Sequence, residues 1–341
     1  MPIQFIGDEF NSTERIVTQC YSLDWALGDS QGDVGVPTRS IVEVYGSKNT
    51  GKSTFCFSLL GMIASKLSKT VTILDWEGQS KKTIEGALET QIFFGTVNYL
   101  LNKGDETSEE TLERFVSEMD NVEQNIGLMD SIGGFIPTAY SEGGIGDSNM
   151  GVFAREIGRF TSKLNRVILR SEEPGVAFLT NHLHPTIGSM VQGQATSGGE
   201  TKKYLAHVRI DLKRAYIGNS PVDFGESYLL KGRIDSNRYG YSKREFYVFI
   251  VGGQGIHVGL TALWDCVISG KAELSAKSIK DSVVVSMDGV SYGKFRTIFQ
   301  ERNNKEFFTT FINALRESSD TVSDESEEES LKEEKPKRKK K

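Results

Sequence analysis

The segment GSKNTGKS at residues 46–53 constrains the fold of this chain more than any other feature. It matches the pattern G-x-x-x-x-G-K-[S/T], in which a glycine-rich loop joins a β-strand to an α-helix and cradles phosphate groups. The flanking residues agree with that context, because IVEVY at 41–45 is typical of a buried strand and the stretch at 53–67 has a helical pattern. The motif therefore predicts an α/β fold with a phosphate site at the end of a strand.

The residues of this loop have distinct physical roles. Gly46 and Gly51 let backbone N–H groups turn towards a phosphate, and the N-terminus of the next helix favours a negative charge. We expect Lys52 to reach the β- and γ-phosphates of a nucleotide and the Ser53 hydroxyl to hold Mg²⁺. The alternative is a glycine turn that only joins a strand to a helix. The predicted nucleotide-binding residues are Gly46, Ser47, Lys48, Asn49, Thr50, Gly51, Lys52, Ser53, Thr54 and Asp130.

Strand-like and helix-like stretches alternate between residues 40 and 180. Short β-rich runs stand at 41–45, 70–76, 97–101, 126–130 and 175–180. Helical patterns lie at 53–67, 108–120 and 150–169. This alternation predicts right-handed crossovers and a mostly parallel sheet, with Ser108 near the N-cap of the second helix. Later strand-like runs, which predict an antiparallel extension of the sheet, lie at 204–216, 227–234 and 244–251.

Two acids follow buried strands of this predicted sheet. Asp130 ends the run IGLMD, and ligands of open α/β sheets bind at the carboxyl ends of strands. We therefore expect Asp130 to support Mg²⁺ together with Ser53, the alternative being a cap for the next turn. Glu77 in LDWEGQ stands just past another buried strand, where it can activate a water molecule as general base. The alternative for Glu77 is an exposed loop acid.

Composition and charge limit the classes of protein open to this chain. No run of eighteen apolar residues predicts a membrane span, and the N-terminus lacks the pattern of a secretory signal. Three widely spaced cysteines fit neither a zinc site nor a complete disulfide set, which favours a reducing interior. The net charge of −6 argues weakly against nucleic-acid binding, although the distribution of charge matters more than the sum.

The predicted organisation has four parts. A short N-terminal arm covers 1–19, and an ATPase-type core covers 20–257. A small α+β unit follows at 258–316, with a helix, a hairpin-like run and a second helix. The tail at 317–341 is polar, acidic first and basic last, and its composition predicts disorder.

The chain resembles the RecA family of DNA recombinases, closely over residues 15–257 and more loosely to 316. The segments that carry the resemblance, in the order and spacing of the family, are YSLDWALG, IVEVYGSKNTGKST, DWEG, LMDSIGGFIP, EGGIGDSNMG, TSGG and KKYLAHVRIDLKR. The phosphate loop is shared by many ATPases, whereas IGDSNMG with the later TSGG is far more specific. The resemblance implies a RecA-like P-loop NTPase core that uses ATP and Mg²⁺.

The resemblance also implies two DNA-binding loops. SEGGIGDSNMG at 141–151 matches the first loop, in which glycines permit close approach to a nucleic-acid backbone. The second loop is 183–199, where Ile187 would wedge between stretched base steps. The alternatives are a surface loop before an amphipathic helix and, for Ile187, a residue pinned to the core. The DNA-contacting residues so implied are Met150, Gly151, Arg155, Ile187, Gly188, Gly198 and Gly199.

Further roles rest on the same resemblance. Lys231 and Arg233 match a basic pair that reaches the ATP of the neighbouring subunit, as an arginine finger supplied in trans. The residues that match subunit-interface positions are Lys203, Tyr204 and Arg209. His182 departs from the glutamine that most cellular members carry as a nucleotide sensor, and some phage recombinases have histidine there. A hydrogen-bonded core histidine is the alternative. The implied catalytic residues are Lys52, Glu77, His182, Lys231 and Arg233.

The hypothesis from sequence is thus a DNA-dependent ATPase that forms filaments on single-stranded DNA and exchanges strands in recombination and repair. Its expected partners are single- and double-stranded DNA, further copies of itself, and single-strand-binding and loader proteins, with no membrane. The short arm and His182 favour a phage member, working in the cytoplasm of a bacterium or infected cell. The basic end of the tail would allow a nuclear location if it acts as an import signal. The rival hypotheses are an accessory or regulatory ATPase of the same fold and a ring-forming helicase-type motor.

Overall fold

A computed structural model of the protein describes residues 14–79, 81–89, 93, 95–101, 106–142, 151–185, 194–217, 220–224, 227–275, 283–300, 304 and 306–316. The chain divides into two compact units. The first comprises Met1–Ala215 and Val222–His257, and the second comprises Tyr216–Pro221 and Val258–Lys341.

The helices and strands alternate in the first unit up to β9. The α-helices are α1 Tyr21–Leu27, α2 Lys52–Leu67, α3 Lys81–Glu89, α4 Ser108–Met119, α5 Thr138–Glu142, α6 Val152–Arg170, α7 Gly199–Leu205, α8 Val258–Ile268, α9 Phe295–Gln300 and α10 306–316. A 3₁₀ helix spans Ile132–Gly134. The strands are β1 Arg15–Ile16, β2 Val36–Pro37, β3 Ser40–Gly46, β4 Val71–Asp75, β5 Val97–Leu100, β6 Ile126–Asp130, β7 Val176–Pro185, β8 Gln194–Thr196, β9 Val208–Arg214, β10 Tyr216–Ile217, β11 Ser220–Pro221, β12 Asp223–Phe224, β13 Ser227–Asn237, β14 Glu245–Val251, β15 Gly255–Ile256, β16 Ala272–Leu274, β17 Val284–Met287 and β18 Val290–Lys294.

One large sheet organises the first unit. Its strands follow the spatial order β15-β14-β13-β9-β3-β7-β6-β4-β5. The strands from β9 to β5 in this order pair in parallel, whereas β13, β14 and β15 add antiparallel strands beyond β9. The α/β fold predicted from the sequence is confirmed, with a mostly parallel sheet extended on one side by antiparallel strands.

Both faces of the parallel strands are buried. Leu128 and Met129 are neighbours on β6, point to opposite faces, and are both 0% exposed. Met129 belongs to a core cluster with Phe115 of α4 and Phe160 of α6. Helix α2 packs on strands β3, β4, β6 and β7. This double burial explains why the strands read as continuous apolar runs without alternation.

The start of α4 shows a complete capping box. The Thr107 hydroxyl accepts from the backbone N–H of Glu110 at 3.1 Å, and the Glu110 carboxylate accepts from the Thr107 N–H at 2.8 Å. Thr107 is therefore the N-cap, and the expectation of Ser108 was wrong by one residue. This exchange satisfies two of the unpaired backbone N–H groups at the start of the helix, which fixes where the helix begins.

The second unit is a small α+β arrangement. Strands β16, β17 and β18 form an antiparallel sheet, in which β17 and β18 are the predicted hairpin. The Cys266 thiol of α8 donates to the backbone oxygen of Phe311 on α10 at 3.4 Å. Phe308 of α10 packs against Gly259, where the ring leaves no room for a side chain. Aromatic residues of α10 thus supply the core of this unit.

The run at 204–216 differs from its prediction in two ways. Its first residues, Tyr204 and Leu205, complete helix α7, and strand β9 begins only at Val208. Strand β9 also pairs in parallel with β3, with Glu43 opposite Arg209, so the antiparallel extension starts one strand later than predicted. Helix α7 has only seven residues, which is too short for its periodicity to distinguish it from the strand that follows.

Candidate nucleotide site

The phosphate loop lies between β3 and α2, as predicted. Gly51 has a φ of 107°, a left-handed conformation that glycine adopts without strain. The Tyr228 hydroxyl lies where a side chain on Gly51 would stand, so no larger residue fits there. The Lys52 ammonium donates to the backbone oxygens of Ser47 at 2.9 Å and Gly46 at 3.3 Å. These bonds hold the lysine charge inside the loop.

A cavity of about 760 Å³ opens over this loop. Its lining combines the loop, the carboxyl ends of strands β4, β6 and β7, and one tyrosine of β13. The lining residues are Lys48, Asn49, Thr50, Gly51, Lys52, Ser53, Thr54, Glu77, Gln79, Asp130, His182, Leu183, His184 and Tyr228. The structure therefore brings the predicted loop residues from Lys48 to Thr54, both predicted acids and His182 to one cavity, whereas Gly46 and Ser47 do not line it.

Sheet register explains this convergence. Asp75 of β4 stands opposite Asp130 of β6, and Gly46 of β3 stands opposite His182 of β7. These strands run parallel, so their carboxyl ends meet at one edge of the sheet, where ligands of such sheets bind. Residues far apart in sequence become neighbours because each stands at the same height on its own strand.

Asp130 is buried beside the phosphate loop. Its Oδ1 accepts from the Thr180 hydroxyl at 2.5 Å, and burial raises the pKa of Asp130 to about 6 against the opposing effect of the Thr180 and Ser53 hydroxyls. Its Oδ2 is buried, and no donor in the described part of the chain meets that atom with hydrogen-bond geometry. A buried carboxylate oxygen without a donor, close to the Ser53 hydroxyl, suits Mg²⁺, which prefers oxygen ligands.

Glu77 is held in place from both sides. The Asp75 carboxylate accepts from the backbone N–H groups of residues 77–79 at 2.6 to 2.9 Å, which fixes the turn after β4. The Ser131 hydroxyl donates to Glu77 Oε1 at 2.6 Å, and His182 Nε2 lies 2.9 Å from the same atom. Partial burial opposes the charge, but these hydrogen bonds and the charge of Lys52 hold the pKa of Glu77 below its usual value.

His182 stands between a cation and an anion. Its Nδ1 lies 3.3 Å from the Lys52 ammonium, and its Nε2 lies 2.9 Å from Glu77. This geometry fits a neutral imidazole that accepts at Nδ1 and donates from Nε2. The preceding Asn181 accepts the backbone N–H of His182 at 2.8 Å. His182 thus contacts both Lys52 and Glu77, the two groups expected to act on a nucleotide.

The predicted DNA-contacting residues fall into two groups. Met150, Ile187 and Gly188 lie outside the described residues. Gly151 and Gly198 precede helices α6 and α7 with φ values of 87° and 96°, and Gly199 follows with 76°. Arg155 is exposed on the first turns of α6 and pairs with Glu156 at 3.1 Å. The described glycines therefore stand where each predicted loop meets a helix.

The residues predicted to act across a subunit boundary lie in unequal environments. Lys231 and Arg233 alternate on β13 and so share one face of the sheet, where Lys231 pairs with Glu245 at 2.7 Å. Tyr204 is 69% exposed, and Lys203 pairs with Glu200 at 2.6 Å. The Arg209 side chain, in contrast, is 13% exposed and makes ion pairs with Glu43 and Asp235 within the chain.

Several residues of the site were not predicted. Asp75, Ser131 and Thr180 each fix a predicted residue through a hydrogen bond. Asp75 and Ser131 stand at the same strand ends as Glu77 and Asp130, so strand-end position was a usable signal for both. Tyr228 comes from a strand far along the chain, and nothing in its local sequence points to the phosphate loop.

Among the helices of the described residues, none combines the length and the apolar character that a membrane span needs.

An open, mostly parallel sheet with a phosphate loop and two acids at its strand ends defines a P-loop protein. The model of the RecA N-terminal domain family matches residues 3–255, and the chain belongs to the RecA family. The resemblance seen in the sequence is thereby confirmed.

Individual relatives agree with this membership. Protein RecA of Bdellovibrio bacteriovorus is 30% identical over 202 residues, which are 59% of this chain and 50% of that protein. Protein RecA of Laribacter hongkongensis is 30% identical over 205 residues, 60% of this chain and 54% of that protein. Protein RecA of Clostridium botulinum is 30% identical over 208 residues, which are 61% of this chain and 55% of that protein. The chain thus aligns with about half the length of these relatives.

Proposed function

We propose that the chain is a DNA-dependent ATPase that forms filaments on single-stranded DNA and exchanges strands between homologous DNA molecules. The observation that carries the proposal is the cavity in which Lys52, Asp130, Glu77 and His182 converge. His182 also stands directly before the predicted second DNA loop, 183–199. The proposed nucleotide site and the predicted DNA-binding segment therefore meet at the end of β7, which supports control of ATP hydrolysis by DNA.

Each residue of the cavity has a defined chemical role in this proposal. Lys52 neutralises phosphate charge, and Ser53 with Asp130 would hold Mg²⁺, which supplies further positive charge when bound. Glu77 accepts a proton from the attacking water, because it is ionised and lies within the cavity. His182 bridges Lys52 and Glu77, and a phosphate between these residues would change both of its contacts. The role of His182 is therefore to report nucleotide binding.

DNA binding and assembly form the second half of the proposal. Arg155 is exposed beside the first predicted loop and can contact a phosphate, which positions DNA without reading its sequence. Lys231 and Arg233 share one face of β13 and would stabilise negative charge on the nucleotide of a neighbouring copy. The partners proposed are single- and double-stranded DNA, further copies of this chain, and single-strand-binding and loader proteins.

The experiment that tests this proposal is ATP hydrolysis with and without single-stranded DNA at fixed salt, with electron microscopy of the same samples. We expect stimulation by DNA together with helical filaments. DNA-independent hydrolysis without filaments would instead favour an accessory ATPase, and closed rings on DNA would favour a helicase-type motor. Either of these results would overturn strand exchange.

A matched pair of variants tests the DNA half separately. Arg155→Ala and Arg166→Ala each remove one exposed arginine from helix α6. If Arg155 contacts a phosphate, its loss weakens single-stranded DNA binding and lowers the salt slope of log K by about 0.7, the value of one contact. Arg166→Ala should leave the slope unchanged. Equal slopes for the two variants would remove Arg155 from the DNA site.

A further inference from the structure

A buried ionic cluster lies beneath the nucleotide site and contains none of the predicted catalytic residues. Its centre is Glu43 of β3, three residues before the phosphate loop, and its side chain is 0% exposed. Lys202 of α7 donates to Glu43 Oε1 and is also 0% exposed. Arg209 of β9 donates to Glu43 Oε2 at 2.8 Å. One carboxylate therefore binds two cations inside the first unit.

The two cations keep the Glu43 carboxylate ionised. Burial alone would raise the pKa of Glu43, but the positive charges of Lys202 and Arg209 hold it below its usual value. A buried ion pair is a weak source of stability, because desolvation of the charges offsets much of their attraction. Replacing buried ion pairs by apolar residues of similar volume often leaves stability unchanged or raises it. The cluster therefore calls for an explanation other than the stability of the core.

The contacts of the cluster reach both ends of the predicted second DNA loop. Lys202 Nζ donates to the Thr196 hydroxyl at 3.1 Å, at the end of β8. Asn181 Nδ2 donates to Glu43 Oε1 at 2.9 Å and to the backbone oxygen of Ser197 at 2.9 Å. Strand β7, which runs into this segment, and strand β8, which lies near its end, are thus joined through the Glu43 carboxylate. A change at Glu43 would therefore alter contacts of both β7 and β8.

The same cluster touches the nucleotide cavity through Asn181. The Oδ1 atom of Asn181 accepts from the backbone N–H of His182, and the His182 ring contacts Lys52 and Glu77. A continuous series of contacts therefore runs from the phosphate-binding lysine to Asn181, Glu43 and Lys202. Such a series of packed and hydrogen-bonded groups can carry coupling between two sites.

We infer that Glu43 and Lys202 are positioning residues that transmit nucleotide binding in the cavity to the segment 194–205. The inference rests on the proposed function only in requiring that the cavity binds a nucleotide. Lys202 holds the start of α7 and the end of β8 against β3, the strand that leads into the phosphate loop. Movement of His182 on nucleotide binding then shifts Asn181 and Glu43, and Lys202 follows.

The test uses the double variant Glu43→Gln/Lys202→Met in the full chain. It removes one negative and one positive charge, so no uncompensated charge stays buried, and the glutamine keeps an oxygen for Asn181. The matched control makes the same substitutions at the exposed ion pair, as Glu113→Gln/Lys163→Met. Binding of ATPγS with Mg²⁺ is measured for all three proteins, followed by hydrogen exchange of the peptide 194–205 with and without ATPγS.

We expect ATPγS to slow exchange at 194–205 in the parent and the control by about 5- to 150-fold, the range of typical coupling between sites. In the Glu43→Gln/Lys202→Met variant this ratio should fall to about one, while the ATPγS affinity stays within about twofold of the parent. A purely structural role would shift the melting temperature and leave the ratio unchanged, which would overturn the inference.

The outcomes also separate this inference from the proposed function. If the parent does not bind ATPγS, the nucleotide site itself is wrong and the inference falls with it. If the parent binds ATPγS but exchange at 194–205 does not respond, the nucleotide site survives and the inference is overturned. If Glu43→Gln alone unfolds the chain, the double variant still provides the comparison, because it restores the charge balance.

Discussion

Glu77→Gln is the most informative single substitution in the nucleotide cavity. It replaces an ionised carboxylate by an amide of the same shape, so the proposed proton acceptor is lost and the space stays filled. The amide oxygen can still accept from Ser131, as Glu77 Oε1 does at 2.6 Å. The substitution therefore separates the chemistry of Glu77 from its place in the structure.

The expected magnitudes of the two effects differ widely. Loss of a positioned general base lowers kcat by about 100- to 10,000-fold, which is about 3 to 5.5 kcal/mol in the activation free energy. The Glu77 side chain is 31% exposed, and weakening its hydrogen bonds to Ser131 and His182 costs about 1 to 2 kcal/mol of stability. The folded protein should survive this loss, because domains are typically stable by about 5 to 15 kcal/mol.

The assay measures phosphate release at saturating ATP, together with the affinity for a fluorescent ATP analogue and the urea midpoint. We expect kcat to fall by at least about 100-fold, with the affinity within a few-fold of the parent, because Lys52 and Ser53 are intact. Glu85→Gln is the matched control, since Glu85 is an exposed acid on the next helix that pairs with Lys81 at 3.3 Å.

The reasoning has two clear points of failure. If Glu77→Gln hydrolyses ATP at the parental rate, Glu77 is an exposed loop acid, the alternative that its sequence position left open. If kcat falls equally in Glu85→Gln, the loss comes from charge in general and not from proton transfer. The low pKa of Glu77 adds a further expectation, that any acid limb set by this group lies below about pH 4.5.

Three further predictions follow from buried groups. Lys52→Ala should abolish ATP turnover, and unchanged phosphate release would refute the phosphate-loop assignment. Phe115→Ala should lower the unfolding free energy by about 3 to 5 kcal/mol in urea titrations, against about 0.5 kcal/mol for Leu169→Ala, which is 48% exposed. Burial raises the pKa of Asp24 to about 6, so the folded state binds the proton more tightly than the unfolded state. The Asp24 carboxyl therefore lowers the unfolding free energy by about 3 kcal/mol above pH 6 and not at all below about pH 4. In Asp24→Asn, the unfolding free energy should change less between about pH 4 and pH 6 than in the parent. An unchanged pH dependence would contradict the assignment.

The central fold was predictable because its signals are local. The phosphate loop fixes one strand and one helix, and apolar runs of five residues mark the other buried strands. Strand β6, predicted at 126–130, is observed at Ile126–Asp130, so Asp130 stands at the strand end as expected. Each of these predictions needed no information beyond about fifteen neighbouring residues.

Long-range partners were beyond such reasoning. Lys202 reads as one of two solvated lysines in TKKYL, yet its side chain is 0% exposed and paired, whereas its neighbour Lys203 is partly exposed. Glu43 reads as a single polar residue in a β-rich run, and only the pairing of β3 with β9 brings Arg209 beside it. Which polar residues are buried depends on the order of the strands in the sheet. That order is set by residues far apart in the sequence, so the local pattern does not reveal it.

The same dependence sets the chemistry of the nucleotide cavity. Successive residues of a strand point to opposite faces, so a slip of one residue in β6 would carry the Asp130 side chain away from the phosphate loop. Register is held by the buried neighbours Leu128 and Met129, which face apolar cores on both sides of the sheet. Asp75 opposite Asp130 and Gly46 opposite His182 are therefore consequences of core packing. Substitutions in that core that shift register should impair the cavity without touching it, since Asp130 stands at the end of β6 and His182 near the end of β7.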